Sequence, residues 1–319
     1  MLASEIIRRV RELQVRTGRQ VADVLAGEYV SVFKGAGIEF DQVRPYLVGD
    51  DVRTIDWNVT ARAGAPFVKR YVEERQLTLM IMADVSASQD FGSGDRSKRE
   101  ATAELCALLA FTAIRSDDKV GLVLFHGDVE QYIPPRKGQK HALRVVREVL
   151  AHGDTPESVT ATGKRKGWRA WLRPRRRPRT PREDTSITRA LEFLLSVSKR
   201  KTICFIVSDF LDEDFEHAMS MANRRHDIIA VLVSDPRELE IPGVGLVGLT
   251  DAETGKAALY DTGSVRFRER LAALAEERVS SLERRLRRRN IDFIHVNAAA
   301  DVVEPLVAFF RMREKRSRR

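Results

Sequence analysis

LTLMIMADVSAS, residues 77–88, runs apolar without a break and then ends in an acid and two hydroxyls. A strand buried on both faces needs such a run, because neither face can carry a polar residue, and strands of this kind belong to parallel sheets covered by helices. TICFIVSD, residues 202–209, has the same form and also ends in Asp. The carboxyl ends of parallel strands line one edge of the sheet, where ligands bind, so Asp84 and Asp209 are expected to face one crevice. Ser86 and Ser88 lie two apart in the turn that leaves the first strand, and both hydroxyls can point at one cation. Thr185 precedes the next helical stretch, where its side chain can also cap an orphan amide, with Ser186 and Thr188 as neighbouring alternatives. Two carboxylates and three hydroxyls make an oxygen-only donor set suited to a hard cation, Mg²⁺ or Mn²⁺.

Outward from these two runs the chain alternates strand and helix. KREATAELCALLAFTAI (98–114) places Ala101, Leu105, Leu108, Leu109 and Thr112 on a helical stripe. KVGLVLFHGDVEQYIPP (119–135) predicts a strand and a second short one, with Gly127-Asp128 as the turn. KHALRVVREVL predicts an amphipathic helix. SITRALEFLLSVSK and FEHAMSMANRRH predict helices around the strand that ends at Asp209. DIIAVLVSD and IDFIHVN predict strands on either side of a long amphipathic helix, VRFRERLAALAEERVSSLERRLRRRN. VVEPLVAFFRMR closes the chain as a helix. The expected fold is therefore α/β, a doubly wound and mostly parallel sheet. Residues 1–76 are expected to add an N-terminal helix and a β-rich elaboration, with YVSVF and FVKRYVE as strand pieces. The main domain spans 77–312, with a basic tail at 313–319.

The chain has 319 residues, of which 43% are hydrophobic and 32% charged, enough for a large core and a soluble surface. No apolar run reaches the ~18 residues of a membrane helix. The first residues, MLASEIIRRVRELQVR, lack a signal-peptide hydrophobic region, so the cytoplasm is the expected compartment. Cys106 and Cys204 have no CxxC neighbour and are expected to be buried small hydrophobes. The formal net charge is +9, but residues 163–182, GKRKGWRAWLRPRRRPRTPR, hold ten Lys/Arg and no acid. Without them the chain is near neutral. Residues 153–183, with Pro156, Pro174, Pro178 and Pro181, are expected to be a flexible insertion.

The D-x-S-x-S run at Asp84, Ser86 and Ser88, Thr185 with Ala190-Leu191 after it, and Asp209 at a strand end together resemble the metal-ion-dependent adhesion site of von Willebrand factor A domains. Phe210 stands where adhesion-type members often have Gly. The stretch from Phe33 to Gln76, FKGAGIEFDQVRPYLVGDDVRTIDWNVTARAGAPFVKRYVEERQ, resembles the bacterial family catalogued as domain of unknown function fifty-eight. That resemblance covers residues 10–235. It implies a von Willebrand A-like domain and a metal-site adaptor working with a MoxR-type AAA+ ATPase on an acidic client protein.

Within the N-terminal stretch, Arg44, Asp50, Asp51, Arg53, Asp56 and Trp57 are candidates for partner binding. Alternatively, the paired charges pin a β-rich subdomain with Trp57 as its core anchor. A rival function is binding of nucleic acid or another anionic surface through Lys164, Arg165, Lys166, Arg175, Arg176 and Arg177, with Trp168 and Trp171 able to stack on bases. A Mg²⁺-dependent phosphohydrolase is the third possibility. It is disfavoured because the position two after Asp84 is Ser86, where an acid/base Asp would be needed. Neither phosphate-binding glycine motifs nor His ligand spacings occur, so no enzyme activity is expected.

Overall fold

The computed structural model describes residues 25–33, 42–47, 49, 51, 52, 55, 57–70, 76–94, 96–152, 186–212, 214–250 and 257–317. The first elements are α1 (Ala26–Phe33), β1 (Gln42–Pro45), α2 (Trp57–Ala63) and β2 (Phe67–Arg70). The main body follows: β3 (Thr78–Asp84), a 3₁₀ turn (Ala87–Asp90), α3 (Lys98–Arg115), β4 (Lys119–Phe125), β5 (Val129–Arg136) and α4 (Gln139–Ala151). Then come α5 (Ile187–Val197), β6 (Ile203–Ser208), α6 (Phe215–Arg225), β7 (Asp227–Ser234) and the short α7 (Pro236–Leu239). The last elements are β8 (Leu246–Thr250), β9 (Ala257–Asp261), α8 (Val265–Arg287), β10 (Asp292–Asn297) and α9 (Val303–Ser317).

Six strands form one sheet in the order β10-β7-β6-β3-β4-β5. Every pair is parallel except β4–β5, the hairpin turned at Gly127-Asp128. The continuous apolar runs explain this arrangement, since alternate residues feed opposite cores. Leu79, Ile81 and Ala83 of β3 pack with α1, α3, α4 and α9, whereas Met80 and Met82 pack with α5, α6 and α8. Parity is kept across the sheet by the β3–β6 register, which sets Leu79 beside Ile203 and Met80 beside Cys204. Truncating such a fully enclosed side chain to Ala costs about 2–5 kcal/mol, because the cavity adds to the lost transfer energy. Cys106 and Cys204 are both free and buried, in the cores on opposite faces of the sheet.

The strand expected to be short after Gly127-Asp128 runs the full eight residues of β5. It includes Pro134 and Pro135, which an edge strand tolerates where they fall at a bulge, two residues opposite Gly121 alone. Opposite them, the β4–β5 register shifts between Val120 and Leu122. At Gly121, between those two, an added Cβ would lie 3.0 Å from the Ile133 carbonyl oxygen, Met80 Cε and Pro135 Cγ.

Two N-terminal expectations need correction. YVSVF is not a strand but most of α1, because Leu25, Tyr29, Val32 and Phe33 fall on one helical stripe against α9. Tyr29 packs edge-on to Phe310 with ring centroids 6.1 Å apart. Trp57 is no core anchor, being 69% exposed at the start of α2. The expected strand at FVKR is present as β2, paired antiparallel with β1. The β8–β9 hairpin was not expected. Its residues Leu246 and Leu259 are both exposed, so no hydrophobic alternation marks it. Among the described residues no helix is long and apolar enough to cross a membrane.

Candidate metal centre

The chain leaves β3 toward β4 on one side and returns from β5 to β6 on the other. The carboxyl ends of β3 and β6 therefore flank the point where strand order reverses, the usual position of a ligand crevice in an open α/β sheet. Asp84 is the last residue of β3, and Asp209 directly follows β6.

Both oxygens of Asp84 are held. The Ser86 backbone amide donates to Oδ1 at 2.8 Å, an Asx-type turn, and the Ser208 hydroxyl donates to Oδ2 at 2.7 Å. The following 3₁₀ turn brings Ser86 Oγ and Ser88 Oγ to 2.9 Å. Beyond Asp209, Phe210 takes φ +52°, its amide donates to Ser208 Oγ at 3.1 Å, and its ring rests on Phe215. A positive φ is where glycine is at ease. Phe210 is kept there by its packing.

Asp84 is buried, and burial pushes its carboxyl up to about 7, with the Asp209 charge adding to the rise. The hydrogen bonds from Ser86 and Ser208 oppose that rise without cancelling it. Two carboxylates that repel one another in a buried crevice mark a place short of positive charge.

One cation partly answers that shortage, and the sequence reading missed it. Lys98 opens α3 and is wholly buried, with Nζ 3.0 Å from Asp209 Oδ2 and 2.7 Å from Glu238 Oε1. Burial alone would lower the Lys98 ammonium, but Asp209 and Glu238 outweigh it and hold it above its usual value. Glu238 is itself fixed, because its Oε2 accepts the Asp235 amide at 3.0 Å in the capping box of α7. Asp235 in turn accepts the Ser93 amide at 2.8 Å and the Ser93 hydroxyl. Burial works against it, but the bonds from Ser93 and Arg237 hold its carboxyl below the ordinary range. A chain of polar contacts thus runs from Asp209 through Lys98, Glu238 and Asp235 to Ser93. The signal was present in SKRE (97–100): two cations open a helix, where the macrodipole disfavours them.

The residues fit a hard cation. Asp84, Ser86, Ser88 and Asp209 offer only oxygens at the neighbouring carboxyl ends of β3 and β6. Among the described residues no group of three or more His, Cys, Asp or Glu is placed to hold a metal, so a cation here would rely on these two acids and neutral hydroxyls. Thr185 lies outside the described residues. Its neighbour Ser186 donates its amide to the His126 carbonyl at 2.8 Å, which ties the start of α5 to the end of β4. The Ile187 amide donates to Asp212 Oδ2 at 2.8 Å.

Arg44 lies in β1 and donates to the Pro45 carbonyl at 3.2 Å, Asp51 is exposed, and Trp57 opens α2. Asp50, Arg53 and Asp56 lie outside the described residues, as do Lys164, Arg165, Lys166, Arg175, Arg176 and Arg177.

The chain is 26% identical over 307 residues to uncharacterized proteins of Mycobacterium tuberculosis and Mycobacterium bovis, covering 96% of this chain and 89% of each of those. A solved structure described as an uncharacterized membrane spanning protein from Vibrio fischeri aligns at 13% identity over 76% of this chain and 98% of that one. Its TM-score is 0.23, too low to bear on the fold. The model of the family described as "Protein of unknown function DUF58" matches residues 42–280, well over half of the chain, and the chain belongs to that family.

Proposed function

We propose that this protein is a cytoplasmic, non-enzymatic docking module of von Willebrand A-like type. In it a Mg²⁺ or Mn²⁺ ion held by Asp84, Ser86, Ser88 and Asp209, with Thr185 as the fifth expected donor, captures a carboxylate of a partner protein. The observation that carries this proposal is the meeting of Asp84 and Asp209 at the strand-order reversal, beside two hydroxyls 2.9 Å apart. A cation bound mainly by neutral hydroxyls stays electron-poor and keeps room for an outside oxygen, and that is the chemistry it would supply here.

The rim favours a protein over a small phosphate ester. Phe91, three residues past Ser88, is 45% exposed, and Leu211, two past Asp209, is 55% exposed. Large apolar side chains beside a charged anchor suit the desolvated centre of a protein interface. Hydrolysis is further disfavoured by Ser86, which leaves no second acid two residues after Asp84. The family resemblance supports a MoxR-type AAA+ ATPase as partner, acting on an acidic client.

The test begins with calorimetric titration of Mg²⁺ into wild type and Asp84→Ala. It continues with capture of a purified MoxR-type ATPase by each, in Mg²⁺ and in EDTA. Capture by wild type in Mg²⁺ alone is the expected result. Equal capture in all four conditions would remove the metal from the docking step.

A further inference from the structure

Lys98 is the least expected charge in the crevice, and its place asks for an explanation beyond fold stability. It stands at the first position of an eighteen-residue helix, where the helix dipole opposes a cation. It is also wholly buried, so the Asp209 and Glu238 carboxylates must hold it there. Asp209 is thereby claimed by an ammonium on the same chain, 3.0 Å away, while also being a proposed metal donor. The two claims differ in one respect. Glu238 cannot follow a metal, because its second oxygen is fixed to the Asp235 amide and Asp235 is fixed to Ser93. It remains as an anchor for the ammonium once Asp209 turns elsewhere.

We propose that Lys98 is an internal competitor for the cation of this site. Its ammonium holds Asp209 while no divalent ion is bound and retires to Glu238 when one is. A tethered competitor acts at high effective concentration and cannot be diluted away. The protein itself therefore sets its affinity for divalent ions low, and loading is completed only when a partner carboxylate adds to the shell. This inference rests on the metal-site proposal above and concerns only this chain's own residues toward the ion.

The experiment uses the full-length protein with Mg²⁺ alone as the probe, titrated calorimetrically into wild type, Lys98→Met and Lys98→Arg. Lys98→Met is expected to bind Mg²⁺ about tenfold tighter or more, since a unit charge a few ångströms from the ion has gone. Lys98→Arg, which keeps the charge, is expected to stay weak. The unpaired Asp209 and Glu238 could prevent Lys98→Met from folding, so the wild type is also followed directly. The Lys98 side-chain ammonium resonance is expected to shift in step with Mg²⁺ binding. A resonance unmoved at saturating Mg²⁺, or a folded Lys98→Met that binds no tighter, would overturn the competitor and leave the metal site standing. Absence of Mg²⁺ binding in the wild type and in every folded variant would overturn the site, and the competitor with it.

Discussion

Asp84 makes the stability of the metal-free protein depend on pH. Its carboxyl ordinarily titrates near 3.8 and is raised to about 7 in the fold, first by burial and then by Asp209. The folded state therefore holds a proton that the unfolded state releases across that interval. The stability that Asp84 contributes is then fully present below about 4 and is lost as pH rises through about 7. The shift corresponds to about 4 kcal/mol at most for this one group. Asp84→Asn, which keeps the shape without the charge, is expected to flatten the slope of unfolding free energy between pH 5 and 7.5. Urea unfolding in EDTA measures it, and an unchanged slope would place the charge shortage elsewhere. Asp84 and Asp209 could be found in the sequence because each closes a short apolar run of the length of a strand buried on both faces. Ser208 and Glu238 could not. A Ser inside CFIVSD reads as strand, and a Glu 140 residues from Lys98 acquires its role only through three-dimensional contact.

Among the elements, α1 and α2 carry the clearest contrast between what a short motif suggests and what packing decides. YVSVF has the β-branched and aromatic composition of a strand, yet its own Tyr29, Val32 and Phe33 join Leu25 in a helical stripe that α9 buries. Tyr29→Ala is therefore expected to destabilise the protein by about 3–5 kcal/mol, as removal of an enclosed aromatic does. Trp57→Ala is expected to stay within about 0.5 kcal/mol, because an exposed side chain leaves no cavity. Denaturant midpoints of the two variants side by side decide the matter, and a large loss at Trp57 would restore it as an anchor. The long elements were legible for the opposite reason. β3, β6 and β7 each present six or more consecutive buried residues in runs of strand length, whereas the fully buried stretch of α3 is twice as long. The β8–β9 hairpin escaped notice because Leu246, Gly248 and Leu259 are exposed and its pairing is only with itself.

For the whole molecule, charge and site are separable. The net +9 comes from residues 163–182, and the remaining chain is near neutral. The crevice is built instead from strand ends that the sheet places, with Asp84 and Asp209 brought together by β3–β6 pairing and Lys98 by the start of α3. The basic stretch enters the chain between α4, which ends at Ala151, and α5, which starts at Ile187. The start of α5 is tied independently through the Ser186 amide to His126 and the Ile187 amide to Asp212. Deleting 163–182 is therefore expected to leave the Mg²⁺-induced rise in melting temperature intact. The same deletion should sharply lower the salt needed to elute the protein from heparin, since such retention follows the number of anions neutralised. Thermal melts with and without Mg²⁺, alongside heparin elution, read both outcomes from one variant. A lost Mg²⁺ response would join the basic stretch to the metal site. Unchanged heparin retention would assign anion binding to other basic surfaces, of which the last turns of α6, α8 and α9 are candidates.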